Sequence, residues 1–239
     1  MDRLAAKAPA MLHEDIVASV GRSIVGGEYP PGSTFTLEFL CSHFSVSRTV
    51  AREAMRILEK LGMVRSRRRV GIVVQAQEHW DAFNHAILEW QMEGPNHKEV
   101  LRDLNVLRIA VEPIAASLAA TRDDQKLLPE LEQASETMRR LKDPTGKASI
   151  EYVEADIAFH EILVQMSGNS FFMPYAQLTR PVLMFMTTRP KEFIYPSSTH
   201  CEDHYAVFEA ISKGQASLAE KAMRIVVDEY REAVGIAQT

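Results

Sequence analysis

Two sets of side chains in this 239-residue chain have the types and the spacing for chemistry. The first is a row of cations. Arg48, Arg52, Arg56 and Lys60 recur at steps of four, which places them on one face of a helix. Arg67, Arg68 and Arg69 follow, and residues 47–71 hold eight basic residues against two acidic ones. A guanidinium grips phosphate or the guanine O6/N7 edge bidentately, so this row suits a polyanion. The second set is Asp156 and His160, four apart in EYVEADIAFHEILVQM, with imidazoles further on at His200 and His204. A carboxylate and an imidazole one helical turn apart can share a divalent cation or meet a small acid.

The cations belong to a wider imbalance. Residues 1–75 carry 11 Lys and Arg against 7 Asp and Glu, and the remainder carries 16 against 25. A small basic head on an acidic body fits a module that binds a polyanion, joined to one that repels it. Apolar residues make up 46% of the chain and charged residues 25%, a globular balance that excludes a disordered chain. No apolar run approaches the roughly 18 residues that span a bilayer. The first residues, MDRLAAKAPAML, lack the apolar segment of a secretion signal. Cys41 and Cys201 do not make a disulfide framework. The expectation is a cytoplasmic protein with reduced thiols and no membrane partner.

The elements that must carry the cations read as a winged helix-turn-helix over residues 11–75. Leu12, Ile16, Val20 and Ile24 stripe a first helix, stopped by Gly26-Gly27. Thr36 caps a short helix around residues 37–44, with Leu37, Leu40 and Phe44 inward. Ser47 caps a longer helix through Leu61, with Val50, Ala54, Ile57, Leu58 and Leu61 toward a core and the cations opposite. Gly62 ends it, and two β-prone runs around Arg67–Gly71 predict a hairpin with a basic tip. Such a unit enters the major groove of a duplex N-terminus first and lays its wing on a neighbouring groove. Arg48 is then placed to read a base and Arg52 to hold phosphate. Ser47, Thr49, Arg67, Arg68, Arg69 and Gly71 complete the expected contact with double-stranded DNA.

Beyond residue 76 no alternating pattern occurs. Amphipathic stretches at 79–93, 97–121, 124–141, 149–167, 170–187, 197–213 and 215–236 predict an all-helical bundle over 79–236, so the chain is mainly α. Val153, Ile157, Phe159 and Leu163 bury the helix of Asp156 and His160, which turns that pair inward. The chain has no nucleophile elbow, dinucleotide glycines, P-loop, H-E-x-x-H or C-x-x-C. Metal-assisted catalysis at Asp156, His160 and His204 is a competing reading. It leaves the basic head without a role.

Ile24–Gly32 (IVGGEYPPG) and Val46–Ala54 (VSRTVAREA), followed by Leu58, Leu61-Gly62 and Gly71, resemble the DNA-binding domain of the GntR superfamily. One position departs. The family carries an Arg–Glu pair before the leucine of its second helix, whereas this chain has Glu38-Phe39 before Leu40. An Arg that would contact phosphate is therefore absent. Arg108 with Glu112, Asp156-x-x-Phe159-His160, Asn169, and His204 followed by Phe208-x-Ala210-Ile211 resemble the FCD domain of the FadR-type subfamily. The resemblance implies a dimeric, ligand-responsive transcriptional regulator. It also implies a divalent metal, zinc or similar, held by one Asp and three His, with an effector carboxylate completing the site. Asp156, His160 and His204 match three of those ligands. The remaining His follows an A-M-x-x pattern in the last helix, and here Ala222-Met223-Arg224-Ile225 leads to Val226. Three protein ligands still match an open zinc site with room for an outside oxygen. A metal-free pocket, in which the polar residues bind the effector directly, is the alternative.

Trp80, Leu88 and Trp90, with Arg108, Val111, Glu112 and Pro113, further resemble the galactonate-operon repressor branch, which implies a sugar acid as effector. Arg108 is the expected anchor for its carboxylate, since a buried guanidinium matches that anion bidentately. An Arg108–Glu112 pair at i,i+4 is the competing role for this arginine. Arg189, in a loop, is a further effector-binding candidate. The sequence thus implies a homodimeric repressor that binds operator DNA, a small carboxylate and a divalent metal. Direct metal sensing is the second reading.

Overall fold

The structure, a computed structural model, describes residues 13–123, 125–142, 148–188 and 200–233. They form two compact units that divide between Pro95 and Asn96.

The N-terminal unit is the expected winged helix-turn-helix with one addition. Its helices are α1 (His13–Val25), α2 (Leu37–Phe44) and α3 (Arg48–Lys60). Thr36 Oγ1 accepts from the Phe39 amide at 3.1 Å and Ser47 Oγ from the Val50 amide at 3.3 Å, so both predicted caps form. Ile16, Val20, Ile24, Leu40, Ala54 and Leu58 are buried in one core, with Leu37 and Phe44 at its margin. The wing is β2 (Val64–Arg67) against β3 (Gly71–Val74), with Arg67 opposite Gly71. The addition is β1 (Thr34–Phe35), which pairs antiparallel with β3 and gives the order β1-β3-β2. This strand demands the glycine at 71: its φ is +109°, and a Cβ there would stand 2.8 Å from the Phe35 carbonyl oxygen.

The segment 79–93, read from sequence as the first helix of the bundle, belongs to this unit instead. Asn84 caps α4 (His85–Glu93), and Ile87 and Trp90 enter the core of α1 and α3. Gly21 makes room for them, because a Cβ at that position would collide with the Trp90 indole.

In the C-terminal unit α5 (His97–Thr121), α6 (Leu128–Arg140), α7 (Ile150–Met166), α8 (Met173–Ala176), α9 (Thr179–Thr188), α10 (His200–Ser212) and α11 (Ala216–Ala233) pack as a bundle. The predicted 170–187 helix is broken into α8 and α9, and Pro181, which has no N–H to donate to the ladder, falls in the first turn of α9, where none is needed. By length and composition α5 is apolar enough to cross a membrane, although Arg108 and Glu112 interrupt its apolar residues. Here it is the central helix, packed on α7, α10 and α11. Its buried stripe is Leu101, Asn105, Arg108, Glu112, Ala115 and Ala119. α7 is buried on nearly all sides, including Asp156 and His160. A helix hydrophobic all round is a core helix, so polar groups on it must find partners inside.

Candidate functional site

The DNA-facing candidates gather on α3 and the wing of the N-terminal unit. Arg48, Thr49, Arg52 and Arg56 flank one open surface depression on α3. Arg67, Arg68 and Arg69 are exposed at the wing, with Arg69 at φ 67° in the tip. The two acidic residues in this basic stretch have local partners. Glu53 pairs with Arg56 at 2.7 Å. Glu59 accepts from the Ser66 amide at 2.6 Å, which ties the wing to the recognition helix. Glu38 on α2 lies 2.8 Å from Arg48 Nη2. Its own backbone hydrogen bond, at the start of α2, and then the Arg48 charge hold its carboxyl below the usual range.

The second candidate site lies inside the C-terminal unit. α5 supplies Arg108 and Glu112, α7 supplies Asp156 and His160, α10 supplies His204 and α11 supplies Tyr230. Exposure is 5% for Arg108, 1% for His160 and 0% for Glu112, Asp156 and His204. Asp156 Oδ1 lies 3.1 Å from both His160 Nε2 and His204 Nε2, and the two imidazole nitrogens are 3.3 Å apart. Three ligands about 2.1 Å from one ion stand about 3.0–3.4 Å apart in octahedral or tetrahedral geometry. The triangle therefore fits a small divalent cation such as zinc. These three residues form a candidate metal centre among the described residues. A fourth ligand has to come from water or a bound acid.

A further layer of side chains orients the triangle. Tyr230 donates its hydroxyl to Asp156 Oδ2 at 2.6 Å and leaves Oδ1 to the imidazoles. His160 Nδ1 lies 2.8 Å from Glu112 Oε2 as a charge pair, which leaves Nε2 toward the triangle. Glu112 Oε1 accepts from Arg108 Nε at 2.9 Å and from the Tyr175 hydroxyl. Arg108 also stacks over the Tyr230 ring at 4.3 Å from its centroid.

The protonation states follow from these partners. Burial raises the Asp156 carboxyl, but hydrogen bonds from His160 and His204 outweigh it and hold the group well below its ordinary range. Burial acts likewise on Glu112, and the charges of Arg108 and His160 overcome it, to about 2. His160 is raised: burial opposes its charge, and the Glu112 carboxylate outweighs that opposition. The Tyr175 and Tyr230 phenols are pushed up by burial and by the carboxylates beside them, so both remain donors.

The structure thus brings Arg108, Asp156, His160 and His204 together. The Arg108–Glu112 pair weighed against an effector role is present, within the same site. Val226 is fully buried and supplies no donor. Arg189 and the side chain of His200 lie outside the described residues. Sequence reasoning missed Tyr175, Tyr230 and the part of Glu112 in aiming His160. It also missed a narrow crevice beside Arg108, lined by Leu104, Tyr175, Leu178, Thr179 and Val182. Its enclosed space holds about one water molecule. Thr179 Oγ1 and both polar atoms of the Asn105 amide are buried there and on the α5 stripe without hydrogen-bond partners. The spacing of Asn105 to Arg108 and of Val226 to Tyr230 was the available signal.

Comparison with known proteins gives two adjacent domains. Residues 12–74 match the family of bacterial regulatory proteins of the gntR type, and residues 103–229 match the FCD domain. The HTH-type transcriptional regulator YieP of Escherichia coli K12 is 30% identical over 214 residues, 89% of this chain and 90% of that protein. The galactonate operon transcriptional repressor of Escherichia coli K12 is 29% identical, over 87% of this chain and 90% of its own length. Among solved structures, Lar of Listeria monocytogenes has a TM-score of 0.55 at 18% identity, covering 97% of this chain and all (100%) of that one. The likeness to Lar shows the shared fold.

Proposed function

The chain belongs to the GntR family of bacterial regulatory proteins, carries an FCD domain and is a DNA-binding transcriptional regulator, not an enzyme; from that premise we propose that it is a repressor released or recruited by a small carboxylate. The acid binds at Arg108 in the crevice of the C-terminal unit. The observation that carries this reading is an arginine only 5% exposed among the residues that line a crevice. A buried cation of that kind favours an anion with a planar, two-oxygen edge. A sugar acid is the favoured class. The relative named for a galactonate operon supports it, as do the unpartnered hydroxyl of Thr179 and amide of Asn105, which suit a polyol. The acid must widen the crevice to enter, and that movement is the start of the response.

Asp156, His160 and His204 hold a divalent ion, zinc or a similar metal, and the ion supplies a further charge for the acid. The regulator works in the cytoplasm as a homodimer on a pseudo-palindromic operator, since one winged unit reads few base pairs. Val106, Ile114 and Leu118 form an exposed apolar strip on α5 that a second copy can cover. Direct metal sensing is the second reading, favoured by the triangle alone.

The test is a gel shift on the protein's own upstream DNA with a panel of aldonates and simple carboxylates, each with and without chelator. A shift altered by an acid in both conditions supports the first reading. One altered only by metal supports the second.

A further inference from the structure

α2 and α3 each place one charged side chain beside a helix cap. Thr36 fixes the start of α2 just before Glu38, and Ser47 fixes the start of α3 just before Arg48. The two helices pack on each other, and Glu38 Oε1 comes within 2.8 Å of Arg48 Nη2. The other arginines of the α3 row differ. Arg56 takes its carboxylate from α3 itself, at Glu53. Arg52 has no carboxylate partner among the described residues. Of these three, only Arg48 is partnered from another helix. An acid on a face that meets phosphates is repelled by them unless a cation screens it, and Arg48 is that cation.

Glu38, as a carboxylate, only accepts hydrogen bonds, and Arg48 only donates them. The pair therefore offers, in order, the guanidinium donors and then an acceptor oxygen. The major-groove edge of a G·C pair is the complement: guanine N7 and O6 accept, and cytosine N4 donates. O6 and N4 are hydrogen-bonded to each other at about 2.9 Å. The Nη2–Oε1 separation of 2.8 Å matches that step. Nη2 carries two hydrogens, so it can keep Glu38 with one and reach O6 with the other. An A·T pair in either orientation runs acceptor, donor, acceptor, and opposes the side-chain pair at two positions. A G·C pair turned the other way runs donor first and opposes it at both ends.

We propose that Glu38 and Arg48 act as one reader of a single G·C pair, with Arg48 on guanine N7 and O6 and Glu38 on the cytosine N4 amino group. Glu38 is then a specificity-determining residue supplied by the helix before the recognition helix. The inference rests on the docking of α3 that sets Arg48 against a base edge.

The experiment uses full-length protein and the duplex that wild type selects from a random pool. The position where Arg48→Ala relaxes preference marks the pair that Arg48 reads. At that pair cytosine is replaced by 2-pyrimidinone, which lacks only the N4 amino group. In a second duplex guanine is replaced by 7-deazaguanine, which lacks N7. Fluorescence anisotropy then compares wild type, Glu38→Ala and Arg48→Ala. The first replacement also costs the duplex a Watson–Crick hydrogen bond, so the difference between proteins is what counts. Wild type is expected to bind the 2-pyrimidinone duplex at least about five-fold more weakly than the parent, and Glu38→Ala to lose less than about two-fold. Equal losses in the two proteins overturn the proposal, as does any pair other than G·C at the marked position. The 7-deazaguanine duplex reads the docking separately. It should weaken wild type and Glu38→Ala and leave Arg48→Ala unmoved. If it does so while the 2-pyrimidinone losses are equal, the docking stands and Glu38 has no part in it. If Arg48→Ala relaxes no position, the docking falls and the proposal falls with it.

Discussion

Glu38 Oε1 lies 2.8 Å from Arg48 Nη2, so the side chain expected to read a base is gripped by a carboxylate of the neighbouring helix. The family carries Arg at position 38, and two cations there would repel. Both side chains are about two-thirds exposed, at 65% and 64%, and such a pair adds little to stability. Its effect is to restrict where Arg48 points. Glu38→Ala should leave the melting temperature close to wild type and change the base that Arg48 selects. Selection from randomised duplexes checks this, and an unchanged consensus would remove Glu38 from recognition.

Arg48→Ala should weaken specific operator binding by about 1–3 kcal/mol and relax preference at one base position. Arg52→Ala should instead weaken all sequences alike and lower the slope of log K against log salt by about 1. Fluorescence anisotropy over a salt series distinguishes the two. If the variants behave alike, the docking of α3 is different.

Arg108→Ala should abolish the acid's effect on DNA while operator binding persists. The substitution also strips Glu112 of its guanidinium, and a broken buried pair costs about 3–5 kcal/mol. Gel shifts with and without acid, beside thermal melts, measure both effects. A variant that answers the acid at wild-type concentrations excludes Arg108 as the anchor.

Glu112 and Asp156 both titrate lower when folded than when unfolded. A depressed carboxyl contributes stability above its unfolded pKa and loses it as pH falls through the folded one. For Glu112 that window runs from 4.5 down to about 2. The C-terminal unit should therefore lose stability steeply below pH 4.5, and Glu112→Gln should flatten part of the loss. Denaturant melts over that range provide the measurement. An identical pH profile in the variant would show that Glu112 is not the sensitive group.

Tyr230→Phe removes the donor to Asp156 Oδ2 and should lower metal affinity about 10- to 100-fold. Val226→His, one turn earlier, restores an imidazole and should raise metal retention. Elemental analysis after dialysis tests both, with His160→Ala as the control. Equal metal in all four proteins places the ion elsewhere.

Much of this was legible in the sequence for physical reasons. The caps Thr36 and Ser47, the α3 cation row and the Asp156–His160 spacing are local and obey helical periodicity. Tyr230 is not local: it meets Asp156 across 74 residues, and only the register of α11 on α5 and α7 decides that contact. Glu112 looked like a simple partner for Arg108, because a sequence shows i,i+4 neighbours and not the imidazole on the next helix. β1 is two residues long, too short for any alternation to reveal. The placement of α4 turned on one absent side chain, at Gly21.

That absence has a mechanical consequence. The Trp90 ring fills the space where a residue at 21 would stand, and a Cβ at Gly94 would lie 3.1 Å from Val25. α4 is thus bolted to α1 along its length, and α1 packs on α3. Residues 94–96 are attached to a rigid handle rather than to a string. Trp90 of α4 shares its core with Ala51, Ala54 and Leu58 of the helix that carries Arg48. One methyl group added at Gly21 would drive the Trp90 ring from its place and disturb the core that α1, α3 and α4 share.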